Sequence, residues 1–97
     1  MNMQKLLKQA EEMQERMQRD LSDTVIDASV GGGIVAVRMD GHKHLLSVKI
    51  DPEAMDPDDP EILEDLVLAA VNEAVRRTDE AVRSKVGAFA GRLPNLF

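Results

Sequence analysis

Apolar positions recur at two different periods along the chain. Met3, Leu6, Ala10, Met13 and Met17 follow a 3-4-3-4 spacing, with Leu7 and Leu21 widening the stripe. That spacing predicts a helix over residues 3–21 whose seam suits contact with another helix. Gln, Glu, Lys and Arg fill the other positions and are good helix formers. Beyond Ser22-Asp23 the pattern changes. Thr24–Val30 and Ile34–Met39 are rich in β-branched residues and read as strands, separated by Gly31-Gly32-Gly33. Three successive glycines contribute no packing and cost chain entropy, so the backbone there is expected to turn, bulge or approach something closely. Asp40-Gly41 reads as a two-residue hairpin leading into a third strand, His44–Ile50. Val48 and Ile50 alternate with Ser47 and Lys49, which predicts one buried and one wet face.

Asp51-Pro52 ends the third strand, because proline cannot donate to a ladder. Residues 51–60 hold three prolines among acids and read as a stiff loop with a helical turn near Pro52–Met55. The helical period then returns. Asp59 is placed to cap a second helix with Pro60 in its first position, and nothing breaks the pattern before Val86. Leu63, Val67, Ala70, Ala74 and Ala81 form one apolar stripe; Val71, Val75, Val82 and Val86 form its neighbour. Gly87 reads as the C-terminal cap. The expectation is an α+β fold of order α-β-β-β-α, with a three-stranded antiparallel meander and two long helices. Residues 1–86 form the single domain and residues 87–97 a flexible tail carrying Phe89 and Phe97.

Composition sharpens this. The 97 residues contain only two aromatics, both Phe, and no cysteine. Leu, Val, Ile, Met and Ala must make the core, and the lean second half of the long helix needs another helix or subunit to be stable. Met3, Leu6, Met13, Met17, Val71, Val75 and Val82 are the candidate packing positions for the core or a homodimer interface. No apolar run approaches the ~20 residues of a membrane span, and the N-terminus lacks the apolar segment of a signal peptide, so a cytoplasmic protein is expected. The net charge of −6 is concentrated: residues 51–66 carry eight acids and no Lys or Arg, which leaves the rest of the chain at a net +2. A basic face elsewhere is compatible with that distribution.

Candidate chemistry is sparse. His42 and His44 share a strand face in an i,i+2 pattern, but no third ligand is visibly placed and a solvated turn is the better reading. The acids of residues 51–59 lack the mid-loop glycine of a calcium loop. The glycine run has no following Lys-Ser/Thr and leads into a strand, so it is not a phosphate loop. No nucleophile–base pair stands out, no cofactor is implied, and an enzyme is a weak hypothesis. What remains is basic charge on the helices: Lys5, Lys8, Arg16 and Arg19 on the first, and Arg76, Arg77, Arg83 and Lys85 on the second. Read blandly, these solubilise two faces, with Glu12–Arg16 and Glu15–Arg19 as i,i+4 pairs. Read sharply, they form a phosphate-contacting surface.

Several stretches carry a family resemblance. Met3-Gln4-Lys5-Leu6-Leu7-Lys8-Gln9-Ala10, Gly31-Gly32-Gly33-Ile34-Val35-Ala36-Val37, Asp40-Gly41, Val48-Lys49-Ile50-Asp51-Pro52-Glu53 and Leu63-Glu64-Asp65-Leu66 through Ala74 resemble the YbaB/EbfC family of bacterial nucleoid-associated DNA-binding proteins. The resemblance covers nearly the whole chain in order. It implies a symmetric homodimer with helices projecting like the arms of tweezers. It also implies binding to double-stranded DNA with little sequence preference, and a role in nucleoid organisation or gene regulation. The eight helix-borne basic residues are where phosphate contacts are then expected, with the acidic block turned away from DNA. The rival reading is a protein-interaction module whose arms or tail hold a protein partner.

Overall fold

A computed structural model describes residues 2–90. It contains α1 (Met3–Asp23), β1 (Val25–Val30), β2 (Val35–Asp40), β3 (Leu45–Ile50), a 3-10 turn at Pro52–Ala54 and α2 (Pro60–Ala90). The strands form an antiparallel sheet in the order β1-β2-β3, so the fold is α+β with the expected α-β-β-β-α meander. Asn2 caps α1 by accepting the Gln4 amide through Oδ1, and Asp51 likewise accepts the Glu53 amide at the 3-10 turn.

The long helix runs further than the sequence suggests. Gly87 lies inside α2, which continues to Ala90, so it is not the cap and the helix enters the segment assigned to the tail. A glycine near a helix end weakens the helix without obliging it to stop. The rest of the expected tail, residues 91–97, and the Phe89 side chain lie outside the described residues.

The two hairpin connections differ from each other in mechanism. At Gly31-Gly32-Gly33 all three residues adopt positive φ (63°, 71° and 97°), and the Gly33 amide donates to the Val30 carbonyl. The glycines are there to turn the chain; a Cβ on Gly32 or Gly33 would meet nothing within 4 Å. The β2–β3 connection is not a two-residue Asp-Gly turn. Asp40 is the last residue of β2, and the loop is Gly41–His44, with Lys43 taking the positive φ of 65°. Asp40 explains the longer loop. Its Oδ1 accepts the amides of both His42 and His44, at 2.9 Å each, a local geometry that competes with the tight turn. The register also shifts between Arg38 and Met39.

The core is one-sided. Ala28, Val35, Val37 and Met39 of the sheet meet Ala70 and Ala74 of α2. Both alanines are fully buried, which brings the helix backbone close to the sheet, and Leu63, Leu66, Val67, Val71 and Val75 pack around them. α2 lies mainly over β1 and β2. The alternation in β3 therefore does not bury a face within this chain: Val48 and Leu45 are exposed, and only Ile50 is half-buried. An open apolar groove of about 580 Å³ runs between Ile50 and the Leu63, Val67, Leu68 and Val71 side of α2.

α1 packs on nothing of consequence. None of its residues is buried; Met3 and Leu6 are exposed, and Met13 and Met17 are half-exposed. These four packing candidates are thus absent from the core of the chain, whereas Val71 and Val75 join it and Val82 is half-buried. The helix meets the body at its C-terminal end and projects from the hairpin end of the sheet, giving a molecule 69 Å long but only 20 by 15 Å across.

Candidate nucleic-acid interface

The arm α1 owes its direction to a few contacts at its root. The Gly41 amide donates to the Leu21 carbonyl at 2.8 Å, and the Thr24 hydroxyl donates to the Asp20 carbonyl at 2.6 Å. His42 Nε2 lies 3.2 Å from the Gln18 carbonyl and 3.1 Å from the Ser22 hydroxyl. The histidine expected in a solvated turn is therefore a bolt on the last turns of the helix. His44 Nδ1 instead approaches Asp40 Oδ2 at 3.3 Å. The two imidazoles are 6.0 Å apart. Among the described residues, no group of three or more His, Asp or Glu is placed to hold a metal ion.

The same loop reaches α2. Lys43 Nζ pairs with Asp79 at 2.6 Å, which places the middle of α2 at the root of α1. The remainder of α2, carrying Arg83 and Lys85, then extends past the sheet on the side from which α1 projects. The acidic block occupies the other end. Asp51 donates its amide to the Ile34 carbonyl beside the glycine turn, and the 3-10 turn and the start of α2 follow there. The dense acidic block thus sits at one end of the sheet and the two arms, whose own acids and bases nearly balance, at the other.

On α1, at ~100° per residue, Lys5, Lys8, Arg16 and Arg19 fall within an arc of about 80°, which also holds Glu12 and Asp23. The Met3, Leu6, Met13, Met17 stripe lies roughly opposite. Among the described residues none of the four basic side chains has a carboxylate within ion-pair distance, so the expected Glu12–Arg16 and Glu15–Arg19 pairs are open. The four basic residues of α2 do not share a face. By the same ~100° step, Arg76 and Arg83 lie across the helix from Ala74, while Lys85 falls on its side.

Arg76 and Arg77 are engaged by carboxylates. Arg76 donates to Glu73 through Nε and Nη2, at 3.1 and 2.7 Å, and to Glu80 through Nη1 at 2.7 Å. Arg77 donates through Nε to Glu73 at 2.9 Å and through Nη1 to the Asp27 carbonyl of β1 at 3.1 Å. The Arg76 and Arg77 hydrogen bonds hold the Glu73 carboxyl down at about 2. The sequence reading passed over this cluster, although its i,i+3 and i,i+4 spacings were present in Glu73-Ala74-Val75-Arg76-Arg77-Thr78-Asp79-Glu80.

This fold and sequence have known counterparts. The YbaB/EbfC DNA-binding family matches residues 1–93. The chain belongs to that family. As a YbaB/EbfC protein it is a member of a DNA-binding family and not of an enzyme family. Proteins named "Nucleoid-associated protein" are similar along its whole length. One from Acidobacterium capsulatum is 49% identical, covering 98% of this chain and 95% of the relative. One from Acetivibrio thermocellus is 46% identical, covering 99% and 90%. One from Chloroflexus aurantiacus is 38% identical over the full length of both. Among solved structures, an uncharacterized Helicobacter pylori protein superposes with a TM-score of 0.77, at 20% identity, covering 93% of this chain and 98% of that one. That likeness shows the fold. Among the described residues, no helix is long and apolar enough to cross a membrane.

Proposed function

We propose that this YbaB/EbfC protein acts as a homodimer that binds double-stranded DNA with little sequence preference, organising the nucleoid or regulating genes in the bacterial cytoplasm. The observation that carries the reading is the basic face of α1. Lys5, Lys8, Arg16 and Arg19 share one side of an arm held only at its root; they outnumber Glu12 and Asp23 on that side, form no ion pair among the described residues, and lie far from the acidic end. Arg83 and Lys85 extend the positive surface along α2. Backbone phosphates are the natural ligand of such a face, because it offers charge without aromatic stacking groups or a pocket that reads base edges.

The dimer accounts for the apolar surface the single chain leaves open. Val48, Leu45, Leu68 and the α1 stripe are too extensive to be scattered surface residues. A second copy covers them and brings a second basic arm.

A fluorescence anisotropy titration of a duplex across salt concentrations tests the reading. Affinity is expected to fall steeply with salt, and alike for unrelated sequences. Replacing Lys5, Lys8, Arg16 and Arg19 with Gln should flatten that dependence by up to about 4 per protomer on a log–log plot. Binding that is absent or indifferent to salt would favour the rival reading, in which the helical arms or the tail hold a protein partner.

A further inference from the structure

We infer that Glu73, assisted by Glu80, withholds Arg76 and Arg77 from DNA phosphates, making this part of α2 a neutral spacer between the DNA-contacting arms and the body. The inference rests on the DNA reading above and narrows it to particular cations.

A guanidinium binds phosphate well by presenting two parallel N–H groups to two oxygens. Arg76 has already committed two donors to Glu73 and a third to Glu80. Arg77 has committed one donor to the same Glu73 oxygen and another to the backbone of β1. Two cations and two carboxylates make a cluster with no net charge. A phosphate approaching it meets two negative groups that must first be displaced.

Glu73 is also well placed to keep its position. It is partly shielded, its side chain being 28% exposed, against 57% and 48% for the two arginines. Its depressed pKa means that it stays ionised at any pH at which DNA remains intact. The contrast with α1 is direct. There the carboxylates at i,i+4 leave Arg16 and Arg19 free, whereas here one carboxylate holds two arginines at once.

The experiment compares duplex binding across salt for four proteins: the unaltered chain, Glu73→Gln/Glu80→Gln, the charge-neutral quadruple variant Glu73→Gln/Arg76→Gln/Arg77→Gln/Glu80→Gln, and Asp58→Asn/Glu61→Gln. The last removes the same charge at the acidic end. Releasing two arginines is expected to steepen the log–log salt slope by about 2 per protomer in the Glu73/Glu80 variant. The quadruple variant should retain the slope of the unaltered chain, as should the Asp58/Glu61 variant. An unchanged slope in the Glu73/Glu80 variant would overturn the inference. So would a shallower slope in the quadruple variant, which would show that the arginines already reach phosphate, or an equal steepening in the remote variant.

Circular dichroism checks that each variant keeps its helices. A carboxyl-detected NMR titration reads the Glu73 contact without DNA: a midpoint near 2 is expected, and one in the ordinary carboxylate range overturns the inference independently. If the unaltered chain shows no salt-dependent DNA binding, the proposed function fails instead, and the titration alone judges the Glu73 cluster.

Discussion

The Gly41 amide donates to the Leu21 carbonyl at 2.8 Å, and this contact joins the end of α1 to the β2–β3 loop. A Cβ at Gly41 would sit 2.5 Å from that carbonyl oxygen and 2.9 Å from the Leu21 Cα. Both are backbone atoms that no side-chain rotation can move aside. Gly41→Ala should therefore cost about 1–3 kcal/mol through overpacking. In a domain of this size that corresponds to ~4–8 °C in Tm for each kcal/mol. Thermal unfolding checks it, and an unchanged Tm would show that the arm root yields freely. The same substitution should also reorient α1, which distance measurements between spin labels on α1 and α2 would detect.

Asp40 organises the loop that carries Gly41. Its carboxyl lies below the usual carboxylate range, chiefly because the His44 amide donates to it; burial opposes this, and the His42 amide adds to it. A depressed folded-state value means that the contribution to stability is complete above the ordinary aspartate pKa of about 4 and is lost as pH falls through the folded value. Asp40→Asn should keep an acceptor for the two amides while removing this part of the acid sensitivity. Denaturant melts of both proteins between pH 7 and pH 2 measure the difference. Equal pH profiles would remove Asp40 from the account.

Thr78 is fully buried against the sheet, one turn beyond Ala74, and its hydroxyl finds no hydrogen-bond partner. Valine has nearly the same shape without the polar atom. Thr78→Val should raise stability by about 1 kcal/mol, because it removes an unsatisfied buried group. A lower Tm in the variant would mean that the hydroxyl is satisfied in solution.

Val48 is 44% exposed on the face of β3 that α2 leaves open. A charge there is well solvated in a single chain and buried in a dimer that covers the face. Val48→Asp should leave the helical signal intact but shift sedimentation from dimer to monomer. If the unaltered chain sediments as a monomer, the dimer reading fails; if the variant remains dimeric, the interface lies elsewhere.

The order of elements, their type and most of their bounds to within one residue were determined by the sequence alone. Helical and strand periods are local properties, and in Met3–Leu21, Thr24–Val30 and Pro60–Val86 the residue propensities agree with them. The concentration of acid in residues 51–66 was equally plain. Tertiary structure decided what each apolar stripe faces. The Met3, Leu6, Met13, Met17 seam has the same spacing whether it packs on the sheet or projects from it, and only the fold shows that it projects. Val48 alternates correctly for a buried strand, yet α2 is too narrow to cover three strands and leaves β3 exposed except at Ile50. The fold also distinguished the glycines: Gly31–Gly33 supply positive φ, while Gly41 supplies the close approach to Leu21. Finally, it divided the basic residues into those that carboxylates engage and those left open. Ion pairing depends on side-chain geometry, and spacing alone would have paired Arg16 and Arg19 as readily as Arg76 and Arg77.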